Sequence, residues 1–83
     1  MSKVVEIKVL DSCGLHAKKC MDICKVASHF QSSIKLNHNG YEIDVKSILG
    51  LMSLCVSNGE TVSLEVCGAD QEEACKELSK IIA

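Results

Sequence analysis

Aromatic side chains are nearly absent from these 83 residues: one tyrosine, one phenylalanine and no tryptophan. Tyr41 and Phe30 alone cannot form the stacking platform that single-stranded bases require. A basic surplus is missing as well. Nine Lys and Arg stand against eleven Asp and Glu, a net charge of −2, and the cations are dispersed, which argues against direct nucleic-acid binding. No apolar run approaches the roughly 20 residues of a membrane span. Met1-Ser2-Lys3-Val4-Val5-Glu6 is broken by charge before a signal-peptide core can form, so the expectation is a cytoplasmic chain without membrane insertion. Proline is absent, and neither a low-complexity tract nor a solenoid-length repeat is present.

Cysteine, by contrast, is plentiful: Cys13, Cys20, Cys24, Cys55, Cys67 and Cys75. Without a secretion signal they are expected to be reduced. No C-x-x-C pair occurs, and Cys20-x-x-x-Cys24 puts two thiols on one helical face rather than in a zinc knuckle. Small apolar core filler is the expected role of all six.

The length and the 47% hydrophobic content suit one domain over residues 1–83. Val5, Ile7 and Val9 alternate with Glu6 and Lys8, predicting a strand over residues 3–10. From His16 to Phe30, Ala17, Cys20, Met21, Cys24, Ala27 and Phe30 recur at intervals of mostly three and four, the stripe of a helix of about four turns. Segments 32–36 and 41–45 alternate around Asn39-Gly40, a tight-turn signal, and predict a hairpin. Lys46 to Leu54 reads as a short helix capped by Ser47, with Leu51 and Leu54 inward and its apolar face otherwise split between core and surface. Thr61–Cys67 alternates again, and Gly68-Ala69-Asp70 with Glu72 and Glu73 supplies a cap and first-turn acids for a closing helix. The order βαββαβα predicts an α+β, two-layer open-faced sandwich: a four-stranded antiparallel sheet with three helices on one face.

The chemistry is expected at Cys13-Gly14-Leu15-His16-Ala17-Lys18-Lys19-Cys20, where a turn runs into the first helix. A histidine there sits beside backbone N–H groups with no intrahelical partner. Those donors and the helix dipole suit a phosphate, and the dipole favours the neutral, nucleophilic ring. The other histidines, His29 and His38, are expected to be solvated, the second in a turn.

Two stretches together resemble a known family. Gly14-Leu15-His16-Ala17-Lys18-Lys19-Cys20 is similar to the G-[LI]-H-A-R-P-A signature of HPr, the histidine-containing phosphocarrier of the phosphoenolpyruvate-dependent sugar phosphotransferase system. Lys46-Ser47-Ile48-Leu49-Gly50-Leu51-Met52-Ser53-Leu54 resembles the K-S-I-M-G-V-M-S-L segment of its Gram-positive type members. The likeness covers nearly the whole chain. It implies that His16 accepts a phosphoryl group on Nδ1 from Enzyme I and donates it to IIA domains, with the Ala17 N–H and Lys18 stabilising the phosphate. It further implies that Ser47 is a regulatory site for HPr kinase/phosphorylase. Ile48, Leu49, Met52, Lys19 and Lys25 are the expected docking residues, no cofactor or metal is implied, and a monomer is the simplest state for a carrier. Among the departures from the signature, Lys18 stands for its arginine and gives up the planar fork, and Lys19 stands for its proline and restores a backbone donor. Two other readings use the same residues. In one the chain is mainly a Ser47-phosphorylated co-regulator of transcription; in the other His16, Cys20 and Cys24 bind a soft metal.

Overall fold

Alternation makes strands where one row of β-branched and aliphatic side chains turns to the core and the other stays wet, most fully in Ser33–His38 and Thr61–Cys67, while the short Tyr41–Asp44 turns only a half-buried Ile43 inward. A computed structural model describes residues 2–83 and gives the order β1 (Ser2–Lys8), α1 (Ala17–Ala27), β2 (Ser33–His38), β3 (Tyr41–Asp44), α2 (Ile48–Ser53), β4 (Thr61–Cys67) and α3 (Gln71–Ile82). The sheet runs β1-β4-β2-β3 and every neighbouring pair is antiparallel. Register places Leu64 of the central β4 opposite Val5 and Leu36, and Val66 opposite Ile34. That face meets Cys20, Ile23 and Ala27 of α1, Leu51 of α2, and Ala74, Cys75, Leu78 and Ile82 of α3, all buried in one core. Each large aliphatic side chain there contributes about 1.5–3 kcal/mol on transfer from water. Leu51 and Leu54 are both buried, as the sequence predicts.

Several local expectations are corrected. Helix α1 has 11 residues, about three turns rather than four. It stops at Ala27 because the next residues tighten, with His29 N–H on the Val26 carbonyl and Phe30 N–H on the Ala27 carbonyl. Its buried stripe is Cys20, Ile23 and Ala27, whereas Met21 is 62% exposed. His38 is not a solvated turn residue. It closes β2, buried, with Nε2 3.1 Å from Oε2 of Glu60, while Asn39 and Gly40 make the turn at φ 52° and 84°. The six thiols do not all fill the core: Cys20 and Cys75 are buried and Cys24 half-buried, but Cys13, Cys55 and Cys67 are exposed.

Asp70 occupies the N-cap of α3 without capping it. Its carboxylate instead accepts from the Gln31 N–H at 2.8 Å, the Ser32 N–H at 3.0 Å and the Ser32 hydroxyl, latching the connection between α1 and β2 to the start of α3. The Ser32 hydroxyl first, then the Gln31 N–H, hold this carboxyl below the usual carboxylate range. A depressed folded pKa contributes stability that is present above the unfolded value of about 3.9 and is lost as pH falls through the folded one. Thermal melts at about pH 6 and about pH 2 therefore show a smaller acid-induced drop for Asp70→Asn than for the parent. Equal drops would mean that this latch does not titrate with folding.

Candidate functional site

The turn before α1 is held from both sides. Gly14 donates to the Asp11 carbonyl at 2.9 Å, and Leu15, buried, donates to the Val56 carbonyl at 3.0 Å. Gly14 has φ +66°, and a Cβ there would collide with the Val56 carbonyl oxygen and lie 2.9 Å from the Ser57 Cα. Only glycine combines that backbone with that proximity. The chain then reaches His16, the N-cap of α1, in an extended conformation with φ −77° and ψ 170°. Its carbonyl accepts the first helical bond from Cys20 at 2.9 Å. The His16 side chain makes no capping hydrogen bond and is 40% exposed. The N–H groups of Ala17, Lys18 and Lys19 follow in the first turn, where no helical carbonyl can reach them.

Asp11 lies beside the ring. Its Oδ1 accepts from the Cys13 N–H at 2.9 Å, its Oδ2 is 3.3 Å from the Lys19 ammonium, and the same oxygen is 3.8 Å from His16 Nε2. The Cys13 N–H is the largest cause holding this carboxyl below its ordinary range, with Lys19 and His16 adding to it. Asp11, His16, Lys18, Lys19, Asp22 and Ile81 line a surface recess of about 290 Å³. Of the two first-turn lysines, Lys18 is exposed and free to meet an anion. Lys19 folds back on Asp11 with a side chain only 11% exposed.

The thiols of α1 are engaged elsewhere. Cys20, fully buried, points its sulfur at the Leu15 carbonyl, and burial pushes the thiol up from its usual range; Cys24 donates to the Lys46 carbonyl at 3.2 Å. Among the described residues no group of three or more His, Cys, Asp or Glu is arranged to hold a metal ion. A soft-metal centre on His16, Cys20 and Cys24 would have to take Cys20 out of the core.

Ser47 is the N-cap of α2, and its Oγ accepts from the Gly50 N–H at 3.2 Å. The Lys46 side chain reaches the Phe30 carbonyl at 2.8 Å, tying the approach to α2 to the segment that follows α1. Beyond Ser47, Ile48 is half-buried against the core, Leu49 is 78% exposed and Met52 48% exposed. Lys25 is exposed in the last turn of α1. Two residues escape sequence reasoning: Asp11, whose signal was an aspartate two residues before a turn N–H, and Met21, which its spacing had assigned to the core.

The result is a two-layer α+β domain that presents, at the start of α1, a histidine without a capping hydrogen bond beside first-turn N–H groups that have no helical partner. The PTS-HPr family model, described as the PTS HPr component phosphorylation site, matches residues 3–83. Phosphocarrier protein HPr of Cupriavidus necator is 39% identical over 75 residues, covering 90% of this chain and 84% of that protein. The crystal structure of a phosphocarrier protein HPr from Bacillus anthracis superposes with a TM-score of 0.95 at 27% identity, covering 99% of this chain and 98% of that one. HPr-C-His from Thermoanaerobacter tengcongensis superposes at 0.91 with 40% identity, covering 96% and 90%. The chain belongs to the HPr phosphocarrier family. No helix among the described residues is long and apolar enough to cross a membrane.

Proposed function

We propose that this chain carries a phosphoryl group on Nδ1 of His16, taken from phosphorylated Enzyme I and passed to sugar-specific IIA domains. The observation that supports this most is a half-exposed imidazole at the α1 N-cap that spends no hydrogen bond on capping. Attack by the Nδ1 lone pair forms the N–P bond as the bond between phosphorus and the donor breaks, its electron pair leaving with the donor. The phosphoryl oxygens then meet the first-turn N–H groups of Ala17 and Lys18, the positive end of the α1 dipole and the Lys18 ammonium. Positioning and charge do most of the work in such a transfer. The site is shallow and solvated, which suits reversible loading rather than storage. The test is intact-mass spectrometry at alkaline pH after incubation with phosphoenolpyruvate and Enzyme I. A single acid-labile phosphate on His16 supports the reading, and an unmodified chain overturns it.

Ser47 is the proposed regulatory site for an HPr kinase/phosphorylase, and Ile48, Leu49 and Met52, with Met21 and Lys25, the docking surface. Lys19 is assigned there to Asp11 rather than to a partner. A charge on Ser47 would stand beside Leu49 and Met52 and oppose docking of an acidic partner face. Ser47→Asp keeps a good N-cap, so α2 survives the change. Its His16 is phosphorylated by Enzyme I about tenfold more slowly, equivalent to about 1.4 kcal/mol of lost docking. Matching initial rates for variant and parent would remove the regulatory role.

A further inference from the structure

We propose that Asp11 is a positioning residue for His16: its carboxylate keeps the ring hydrogen on Nε2 and so leaves the lone pair on Nδ1, where the phosphoryl group is to be taken. This rests on the reading of His16 as the acceptor. A neutral imidazole carries one ring hydrogen, and only the nitrogen without it can attack phosphorus. Asp11 Oδ2 lies on the Nε2 side of the ring, 3.8 Å away. That is beyond a formed hydrogen bond, but one bridging water or a small ring rotation closes it, and such bonds tighten when the partner arrives.

The carboxylate is not free to wander. The Cys13 N–H holds Oδ1 at 2.9 Å and the Lys19 ammonium holds Oδ2 at 3.3 Å, with the Lys19 stem packed down against the protein. Lys19 thus replaces the rigidity of a proline at this point with an ion pair that fixes Asp11. The remaining charged groups around the recess are Lys18 and Asp22 of α1, one helical turn apart and of opposite sign, while α3 contributes only the uncharged Ile81.

During transfer, forming the Nδ1–P bond turns the ring into a cation that bears hydrogen on Nε2. The Asp11 carboxylate faces that developing charge. When the phosphoryl group leaves for an acceptor, the N–P electron pair returns to the ring and the neutral Nε2–H form is regenerated. The same residue therefore serves both directions, without touching the phosphoryl group.

Nitrogen-15 spectra of the unphosphorylated protein supply the first test. His16 should show a larger Nε2–H share than the exposed His29 of the same molecule, and equal shares would overturn the proposal. Asp11→Asn is the second. Its amide oxygen keeps the Cys13 N–H bond, but its NH₂ faces Nε2 as a donor and drives the ring hydrogen to Nδ1. The initial rate of phosphorylation by Enzyme I should fall about 5- to 20-fold, well short of the roughly 10⁴-fold cost of the same change in a buried Ser-His-Asp triad, because His16 is solvated. Asp11→Glu should restore most of the rate and the tautomer. A rate loss without a tautomer shift would make Asp11 merely structural and overturn the proposal. A parent that accepts no phosphate at all would overturn the carrier reading instead, with the tautomer measurement still deciding on Asp11.

Discussion

His16→Ala abolishes the acid-labile phosphate formed with phosphoenolpyruvate and Enzyme I, yet melts within about 4 °C of the parent. Both halves follow from the N-cap geometry. Replacing an N-cap residue is costly when its side chain bonds to the first-turn N–H groups, and His16 makes no such bond. Its ring is 40% exposed and approaches Asp11 only at 3.8 Å, so little packing goes with it. The carbonyl that starts α1 belongs to the backbone and is untouched. Function, by contrast, has no substitute at this point: the largely buried Lys19 side chain is paired with Asp11, and His38 is buried against Glu60. Mass spectrometry and a thermal melt on one preparation check both halves. Persistent labile phosphate on the variant would place the acceptor elsewhere, and a collapse of the melt would make His16 structural.

Gly14→Ala has the largest expected effect on stability. The residue sits at φ +66°, and its added methyl would overlap the Val56 carbonyl oxygen that accepts from Leu15. The backbone conformation alone costs about 1–2 kcal/mol, and pushing the two segments apart brings the total to about 2–4 kcal/mol. For a domain of this size the thermal midpoint falls by roughly 10 to 30 °C. Gly59 is the control, since it has φ +90° but no atom within 4 Å of an added Cβ. Gly59→Ala therefore carries only the conformational penalty, about 1–2 kcal/mol. Should the two substitutions cost the same, the close approach of Gly14 to Val56 would not be what holds the turn. Any Gly14→Ala protein that remains folded should also load phosphate more slowly, because His16 follows two residues later on the same displaced backbone.

Much of this was legible because the governing signals are local. Thr61–Cys67 is a strand over the very residues that alternate, and the Asn39-Gly40 turn takes the positive φ values that those residues tolerate. Ser47 caps α2 as its residue type and position imply. The misreadings share a different cause. Met21 and Ile23 both fit an amphipathic stripe, and only the packing of α1 against the core decided that Ile23 goes in and Met21 out. Asp70 has the residue type of a helix cap, but Gln31 and Ser32 of the connection between α1 and β2, 39 and 38 residues earlier in sequence, brought two N–H groups and a hydroxyl that outcompeted the helix for its carboxylate. His38 is adjacent to a turn, but β2 extends through it, so it continues the inward row of Ile34 and Leu36 and its Nε2 meets Glu60.

The same division runs through the site. A histidine at a helix start, a glycine two residues before it and a serine at the next cap are properties of short stretches, because turn chemistry, capping and free first-turn N–H groups act within a few residues. Sequence by itself therefore determined the fold class and the position of His16 at the start of a helix. Tertiary structure alone decided that Gly14 must lie against Val56, that Lys19 turns back to Asp11 instead of outward, and that Asp11 stands on the Nε2 side of the ring. Those contacts depend on distances between segments, which periodicity and propensity do not encode.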